Sequence, residues 1–332
     1  MPSASEAQTI GVVGAGTMGA GIAQLACQAA RARTLLHDPI ENALARGVAE
    51  VEKQLARGGE RGRWSEVEAD EARARLEAAD SLEALAACDL VIEAAPESLE
   101  IKHELYARLS AVVRDDCVLA TNTSSLPVTA IARGATHPER VVGMHFFNPA
   151  PVMRLLEVVA GDASGADALA LARATGEAMG KHVITAADGP GFLVNRCGRP
   201  FGLEALRLWQ ERIAEFDVID RICRLGAGFR MGPFELMDLV GVDTGLDVSR
   251  SFYEQSFNEP RWRPSMITAR MVAAGRHGRK SGRGYYDYSG EAHRPADPEP
   301  PATGGGDGEV VIAGDLALAD ELRAAARDAG WS

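Results

Sequence analysis

The stretch from Met144 to Glu157, MHFFNPAPVMRLLE, holds the side chains best suited to acid–base chemistry. His145 follows the apolar run Val141–Met144, which is typical of a buried strand that ends at the edge of an open α/β sheet, where a cleft begins. Because imidazole titrates near neutral pH, a histidine at that place can accept and return a proton. The simpler alternative is a core histidine whose ring is hydrogen-bonded to the backbone.

Glu157 is the carboxylate best placed to support His145. It lies in a second apolar stretch, Leu155–Val159, which predicts a neighbouring strand. A carboxylate beside an imidazole fixes its tautomer and stabilises the imidazolium that forms, as in catalytic triads. Such a base suits the oxidation of a secondary alcohol, in which the hydroxyl loses its proton while hydride leaves the same carbon.

A glycine-rich loop near the start of the chain predicts where a dinucleotide binds. The loop GAGTMG follows a strand, Thr9–Val13, and precedes a helix and a second strand that ends at Asp38. In this context the glycines allow a tight turn and a close approach to a pyrophosphate, whereas a lone glycine motif is often an ordinary turn. Asp38 would accept hydrogen bonds from ribose hydroxyls and repel a 2′-phosphate, and no arginine follows it closely, so NAD is favoured over NADP. The cofactor-binding residues predicted in this region are Gly14, Gly16, Met18, Gly19 and Asp38.

Polar side chains also follow two further predicted strands. The strand Cys88–Glu93 ends in AAPE, and in a doubly wound sheet its carboxyl end lies beside the nicotinamide half of the cofactor, within reach of Glu97 and Lys102. The strand Cys117–Ala120 is followed by TNTSS, a cluster of hydroxyl and amide groups suited to binding a carbonyl group. The same composition is common in loops and helix caps that have no function.

Composition limits the classes of protein that the chain can belong to. Its 332 residues suit two domains, and a formal charge of −12 argues against a nucleic-acid or anionic-membrane surface. The five cysteines form no C-x-x-C pair, so neither a zinc site nor a disulfide framework is predicted, and they fit a reducing cytoplasm. No signal peptide and no run of about 18 apolar residues is present, which predicts a soluble, cytoplasmic protein.

The order of elements predicts an α/β fold, a Rossmann-type doubly wound, mostly parallel sheet with a second, all-α domain. We predict an NAD-binding domain over residues 1–188, a helical domain over 189–289, a flexible linker over 290–308 and a short strand–helix tail over 309–332. The tail strand is expected to pair with the edge of a sheet. The segment Glu41–Ala79 is predicted to form two helices, which could clasp a long ligand or, as the simpler interpretation, form a solvated antiparallel hairpin.

Five motifs occur in order along the chain: GVVGAGTMG, TNTSSL, MHFFNPAPVMRLLEVV, DGPGFLVNR and MGPFELMDLVG. Together, and at this spacing, they resemble the 3-hydroxyacyl-CoA dehydrogenase family over roughly Thr9 to Tyr288. The resemblance implies a reversible, NAD-dependent oxidation of an (S)-3-hydroxyacyl-CoA to the 3-ketoacyl-CoA. It also implies a homodimer that pairs through the helical domain, whose many apolar positions would otherwise leave a large patch exposed.

The resemblance assigns roles to single residues as well. These are the catalytic dyad His145 and Glu157, the ligands of the substrate oxygen Ser124 and Asn195, the nicotinamide neighbour Asn122, and the cleft-wall and substrate-binding residue Asn148. For Asn195 the alternative is a helix cap after Pro190-Gly191.

Several interpretations stay open at this point. The substrate is expected to be of the 3-hydroxybutyryl-CoA or the 3-hydroxyadipyl-CoA type. The residues after Asn195 and the stretch Glu259 to Pro264 resemble those of long relatives in phenylacetate degradation, which suggests the 3-hydroxyadipyl-CoA type. Arg199 would then receive a distal carboxylate, and the simpler alternative is a surface or interface arginine. An L-gulonate 3-dehydrogenase-like oxidoreductase resembles the same family, and the segment Glu41–Ala79, where relatives hold CoA, matches no relative residue by residue. A non-catalytic NAD-binding sensor or structural protein is the alternative from another class.

Overall fold

One eight-stranded sheet forms the frame of the molecule in a computed structural model that describes residues 7–290, 292–298, 308–314 and 318–331. The strands are β1 (Thr9–Val13), β2 (Arg33–His37), β3 (Leu76–Ala79), β4 (Leu90–Glu93), β5 (Val118–Thr121), β6 (Val141–Phe146), β7 (Leu155–Ala160) and β8 (His182–Ala187). Their order across the sheet is β3-β2-β1-β4-β5-β6-β7-β8, and every neighbouring pair is parallel except β6 and β7.

Helices cover the sheet and then continue without strands. The helices of four or more residues with regular α geometry are α1 (Thr17–Gln28), α2 (Glu41–Glu60), α3 (Glu66–Ala74), α4 (Leu99–Val112), α5 (Val128–Ala132), α6 (Ala166–Ala178), α7 (Val194–Gln210), α8 (Phe216–Ala227), α9 (Pro233–Val240), α10 (Val242–Gln255), α11 (Met266–Ala273) and α12 (Ala319–Asp328). The predicted Rossmann-type sheet followed by an all-α region is confirmed. Among the described helices, none combines the length and the apolar character that a membrane span requires.

Two apolar clusters, one on each face of the sheet, hold the helices in place. Successive strand residues point to opposite faces, so Ile10 and Val12 join one cluster while Val13 and Val91 join the other. Strand β1 lies between β2 and β4 in the sheet, so the strand order reverses direction at β1. Such a reversal leaves a crevice at the carboxyl ends of these strands. The parallel strands β1, β4, β5 and β6 therefore deliver their last residues to one edge of the sheet.

The segment predicted as a solvated helical hairpin is instead packed against the sheet domain. Leu44, Val51 and Leu55 of α2 are buried in the same apolar cluster as α1. The second helix ends at Ala74, earlier than predicted, because residues 76–79 form β3 and pair with β2. The letters LEAA favour helix, so only the long-range pairing with β2 makes this segment a strand.

The helical region has its own core of aromatic side chains. Trp209, Phe216, Phe234 and Tyr285 meet edge to face at ring-centroid distances of 5.0–6.0 Å. Helices α8 and α9 nevertheless leave large apolar side chains exposed to solvent, among them Ile222, Leu225 and Leu239.

The segment predicted as a flexible linker is docked where it is described. His293 and Arg294 contact the buried carboxylate of Glu235 at 2.7 Å and 2.9 Å, and Asp297 accepts two hydrogen bonds from Arg224. The composition of the segment does not indicate these contacts, because the partners Arg224 and Glu235 lie on helices α8 and α9, far away in the sequence. The rest of the predicted linker, residues 291 and 299–307, lies outside the described residues.

The tail differs from its prediction in one element. Helix α12 forms where the tail helix is predicted, but residues 309–314 form no strand, so the predicted strand is wrong for these residues. Val310 and Val311, which gave the segment its apolar pattern, are instead exposed to solvent over 41% and 82% of their surface. A short apolar run becomes a strand only when an edge lies within reach.

Candidate active site

His145 and Glu157 stand directly opposite each other on β6 and β7. The antiparallel register pairs the two residues, so their side chains project from the same face of the sheet. Nδ1 of His145 lies 2.6 Å from Oε2 of Glu157, and both side chains are buried. The imidazole therefore pairs with a carboxylate rather than with the backbone, and the alternative of a backbone-bonded core histidine is wrong.

The second carboxylate oxygen of Glu157 ties the sheet to the helical region. Oε1 accepts hydrogen bonds from the backbone N–H groups of Leu193 and Val194, at 3.0 Å and 2.9 Å, where α7 begins. Burial acts to raise the pKa of Glu157, but the bond from His145 and those from Val194 and Leu193 outweigh it, so the pKa lies below its ordinary value. Glu157 is thus held as a carboxylate, which is the form that orients an imidazole.

Two aromatic rings border the imidazole. Phe147 lies 4.6 Å from the His145 ring, centroid to centroid, and Phe192 lies 5.6 Å away and meets it edge-on. Phe192 has a left-handed backbone, φ 48°, directly after Gly191 at φ 75°, and this turn brings its ring against the histidine. Because Nδ1 faces Glu157, Nε2 is the ring nitrogen left to exchange a proton with a substrate.

The polar cluster after β5 is folded around Glu97. Oε1 of Glu97 accepts hydrogen bonds from the Thr123 hydroxyl at 2.6 Å, from the backbone N–H groups of Ser124 and Ser125, and from the Ser125 hydroxyl. The Ser124 hydroxyl makes no hydrogen bond with the described residues, which leaves it available to a ligand. Burial opposes ionisation of Glu97, but Lys102 and these hydrogen bonds hold its pKa below the ordinary value.

Lys102 lies beneath this loop rather than on the open cleft. Its side chain is 1% exposed, and Nζ lies 2.5 Å from Glu93 and 3.5 Å from Glu97. Glu93 also accepts a hydrogen bond from the Thr121 hydroxyl at 2.8 Å. Contact of Lys102 with a bound ribose therefore stays a prediction, whereas its place as the counter-ion of two carboxylates is clear.

Sequence reasoning missed Glu93, Thr121 and Thr123 as parts of this network. The available signal was a charged residue at the last position of a buried strand, since an isolated carboxylate is costly to bury without a partner. The hydroxyl that donates to Glu93 belongs to Thr121, the last residue of the neighbouring strand β5, and the Thr123 hydroxyl just beyond it donates to Glu97. Only the strand order could have shown that these residues lie close together.

The three predicted asparagines occupy different places. Oδ1 of Asn122 accepts a hydrogen bond at 2.9 Å from the backbone N–H of Phe146, so Asn122 braces the end of β6 beside His145. Asn148 is exposed on the segment that follows β6. Asn195 is half-buried in the first turn of α7, whose cap is Leu193, so the helix-cap alternative for Asn195 is wrong. The roles of all three towards a substrate or cofactor stay predictions.

The glycine loop has the shape that a dinucleotide requires. Gly14 has φ 99°, and a Cβ atom at Gly19 would lie 1.7 Å from the Gly14 carbonyl oxygen, so neither position accepts a side chain without a shift. Gly16 precedes α1 and has open space on its Cβ side, while Met18 packs against the apolar cluster. A pyrophosphate therefore fits against the N–H groups at the start of α1.

Asp38 completes this loop from the end of β2. Its Oδ2 accepts a hydrogen bond at 2.8 Å from the backbone N–H of Ala15, and its Oδ1 accepts one from Ile40. The carboxylate thus lies against the glycine loop, as the ribose site of a dinucleotide requires.

We expect Asp38→Asn to weaken NADH binding about tenfold and to raise the use of NADPH relative to NADH. The carboxylate makes the stronger hydrogen bonds to ribose hydroxyls and repels a 2′-phosphate, and the amide does neither. Titration of NADH and NADPH by fluorescence measures both effects. Asp80→Asn, an exposed site after the neighbouring strand β3, is the matched control; equal affinities of the two variants would remove Asp38 from the cofactor site.

Two cavities adjoin these residues. The first, about 310 Å³, lies in the helical region between α7, α9 and α10 and shares Asn195 with the site. The second, about 650 Å³, is a groove between the glycine loop, α2 and residues 149–152. The charged residues that line this groove are one glutamate, Glu50, and four arginines, which are Arg46, Arg57, Arg61 and Arg63. None of the four forms an ion pair with an acidic residue in the described ranges.

A Rossmann-type sheet with a dinucleotide loop and a His–Glu pair at its strand ends is the arrangement that NAD-dependent oxidoreductases use. The model of the NAD-binding domain of 3-hydroxyacyl-CoA dehydrogenase matches residues 9–189, and that of the C-terminal domain matches residues 191–288. The chain therefore belongs to the 3-hydroxyacyl-CoA dehydrogenase family, and NAD is its cofactor. In the described residues there is no group of three His, Cys, Asp or Glu side chains that could hold a metal ion.

The names of similar proteins mention two different substrates, 3-hydroxyadipyl-CoA and 3-hydroxybutyryl-CoA. The chain is 43% identical to 3-hydroxyadipyl-CoA dehydrogenase of Escherichia coli over 86% of its own length and 60% of that relative. The crystal structure of 3-hydroxybutyryl-CoA dehydrogenase from Escherichia coli superposes with a TM-score of 0.88 at 41% identity, over 93% of this chain and 65% of that one. The structure of (S)-3-hydroxybutyryl-CoA dehydrogenase from Ralstonia eutropha superposes with a TM-score of 0.83 at 38% identity, over 86% of this chain and all of that one. The chain thus spans less than two thirds of the length of the two Escherichia coli proteins.

Proposed function

We propose that the protein catalyses the reversible, NAD-dependent oxidation of an (S)-3-hydroxyacyl-CoA to the corresponding 3-ketoacyl-CoA. The observation that carries the proposal is the buried pair of His145 and Glu157, 2.6 Å apart, at the edge of the sheet where the dinucleotide loop also ends. Both domains that match the family are present in order along the chain.

The chain's own residues supply the proton chemistry. Nδ1–H of His145 donates to Glu157, so Nε2 carries the lone pair that takes the proton of the substrate's 3-hydroxyl. NAD⁺ held by the glycine loop and Asp38 would supply the hydride acceptor for the carbon that bears this hydroxyl, whose C–O bond would become a carbonyl. Glu157 stabilises the imidazolium that results, and the backbone N–H groups of Leu193 and Val194 keep its carboxylate in place.

Ser124 and Asn195 are proposed to hold the substrate oxygen from two sides. The Ser124 hydroxyl follows β5, the strand beside β6, and Asn195 lies in the first turn of α7, whose N-terminus is bonded to Glu157. Donors fixed before the substrate arrives stabilise the charge that develops on oxygen without a cost of reorganisation.

We propose that the arginine-lined groove beside α2 holds the nucleotide end of CoA. The protein has a net charge of −12, so an anionic ligand needs a local cationic device, and the groove provides four arginines. Pro149, Pro151 and Val152 line the same groove and follow His145 in the chain, which brings it towards the catalytic pair.

An Arg57→Ala/Arg61→Ala double variant should raise the KM for acetoacetyl-CoA at least tenfold, since each arginine lost removes a charge-assisted bond to phosphate. The KM for the acetoacetyl thioester of N-acetylcysteamine, which lacks the nucleotide, should change little. Arg73→Ala, an arginine of α3 that is paired with Asp70, is the matched control. A loss of NADH affinity in the double variant, with the KM for acetoacetyl-CoA unchanged, would assign the groove to the dinucleotide instead.

A homodimer through the helical region belongs to the same proposal. The exposed apolar side chains on α8 and α9 support it, because a patch of this kind marks an interface more often than a solvated surface. Sedimentation equilibrium measures the mass of the assembly.

We also propose a cytoplasmic location, which the five free cysteines support, since thiols persist in a reducing compartment.

One assay tests the proposed reaction against its alternatives. Initial rates of NADH oxidation are measured with acetoacetyl-CoA, 3-ketoadipyl-CoA and a free 3-keto acid. Turnover of the CoA thioesters alone is the expected result. Turnover of the free acid alone would favour a dehydrogenase of the L-gulonate type, and NADH binding without any turnover would favour a non-catalytic protein.

A further inference from the structure

The cavity between α7, α9 and α10 lies in the helical region and is lined at one place by Val194, whose backbone N–H donates to Glu157. Asn195 lies in its wall, and apolar side chains such as Leu206, Leu236, Met237 and Leu246 line most of the remainder. Its volume of about 310 Å³ lies at the lower end of the range for small-molecule sites. An acyl chain attached at C3 of the substrate can therefore continue from Asn195 into this cavity.

One cation interrupts this apolar lining. Arg199 is the sole charged side chain among the described residues that line the cavity. Its Nη1 donates to the Gly245 carbonyl oxygen at 3.2 Å, and the guanidinium lies 5.6 Å from the centre of the Phe252 ring. Its Nε is buried and has no hydrogen-bond partner among the described residues.

Burial without an acidic partner is costly for this guanidinium. Desolvation lowers the pKa of Arg199, and no carboxylate in the described part of the chain forms an ion pair with it. A guanidinium has five N–H donors, and the hydrogen bonds of Arg199 to the described residues use only Nη1. An anion brought by a ligand would satisfy the remaining donors and restore charge balance.

Asn195 and Arg199 both line the cavity and lie on the same side of α7, because residues four apart are about 6 Å apart along a helix axis. A ligand whose C3 oxygen is held by Asn195 therefore meets Arg199 further along its acyl chain. A carboxylate at the end of that chain would pair with the guanidinium.

We infer that Arg199 selects acyl chains that end in a carboxylate, so that the preferred substrate is the CoA thioester of a 3-hydroxy dicarboxylic acid. This inference rests on the proposed function and adds a specificity-determining residue to it. The substrate in the name of the Escherichia coli relative, 3-hydroxyadipyl-CoA, is of this class. When the acyl chain of the substrate lacks this carboxylate, the cavity receives a terminal methyl group instead, and the guanidinium of Arg199 stays without an anionic partner.

The test compares two substrates of equal length on the full chain. The ratio of kcat/KM for (S)-3-hydroxyadipyl-CoA to that for (S)-3-hydroxyhexanoyl-CoA is measured for the wild type, Arg199→Met, Arg199→Lys and Arg207→Met. We expect the wild type to favour the dicarboxylic chain at least tenfold and Arg199→Met to lower the ratio by about 10- to 100-fold, with Arg199→Lys in between. Arg207 lies exposed on the same helix and pairs with Glu204, so its variant should keep the wild-type ratio.

The ratio is taken within one protein preparation, so a smaller folded fraction cancels from it. Calorimetric titration with adipyl-CoA and hexanoyl-CoA, which lack the 3-hydroxyl, should show the same preference without turnover. A wild type that oxidises both substrates without preference, or an Arg199→Met ratio equal to the wild-type ratio, would overturn the inference and leave the proposed reaction intact. No turnover with any CoA thioester, including 3-hydroxybutyryl-CoA, would instead overturn the proposed function, and this inference with it.

Discussion

His145→Gln is expected to lower turnover of acetoacetyl-CoA by roughly 10²- to 10⁴-fold while the affinity for NADH stays close to that of the wild type. The imidazole lies beside the proposed substrate site with Nδ1 held by the Glu157 carboxylate, so Nε2 is placed to act as the base. Glutamine keeps a polar side chain of similar length opposite Glu157 but cannot act as a base. Steady-state rates and NADH fluorescence titration on the same preparation measure the two quantities.

The same substitution elsewhere provides the control. His182 is exposed at the start of β8, and His182→Gln should keep both the rate and the affinity. Turnover of His145→Gln near the wild-type level would mean that His145 is a structural residue of β6. A parallel loss of NADH affinity would mean that the substitution has disturbed the cleft rather than removed a base.

The dinucleotide half of the fold could be predicted from the sequence because each of its signals is local. The strand Thr9–Val13, the loop with Gly14 and Gly19, and the helix after it are neighbours in the chain, and the structure forms them where the spacing indicates. The pair of His145 and Glu157 was also predictable, since two apolar runs separated by a short connection form adjacent strands.

The remainder depends on contacts between distant segments. Residues 76–79 become a strand only because β2 lies beside them, and Glu97 gathers Thr123, Ser124 and Ser125 only because β4 and β5 are neighbours. The docking of His293 on Glu235 joins residues 58 apart in the chain, inside a segment whose composition suggests a linker. A single sequence carries no signal for such pairs.

The hydrogen bonds of Glu157 to the start of α7 also join distant segments of the chain, and they change the role expected of Glu157. In the sequence it is only the partner of a histidine, whereas in the structure its carboxylate also binds the first N–H groups of the helix that carries Asn195 and Arg199. The proton acceptor and the proposed substrate-binding helix therefore share one anchor. A change at Glu157 should disturb both together.

Glu157→Gln is accordingly expected to lower kcat by roughly 10²- to 10⁴-fold, because an amide no longer fixes the imidazole tautomer or stabilises the imidazolium. NADH affinity should stay near the wild-type value, since no residue of the glycine loop contacts Glu157. The free energy of unfolding at pH 7 should also fall by about 2 kcal/mol, as the carboxylate loses a charge-assisted bond and its favourable place at the N-terminus of α7. The rate, the affinity and chemical denaturation are measured on one preparation.

The stability effect has a defined pH dependence. The pKa of Glu157 in the folded protein lies below its ordinary value of 4.5, so the carboxylate stabilises the fold above that pH and loses this effect as the pH falls through the folded pKa. The difference in unfolding free energy between wild type and Glu157→Gln should therefore be largest near neutral pH and shrink below about pH 4. Glu177→Gln, an exposed glutamate of α6 paired with Arg173, should show almost no difference at pH 7. A Glu157→Gln variant that keeps wild-type stability but loses activity would mean that the bonds to α7 contribute nothing measurable, and that Glu157 acts through His145 alone.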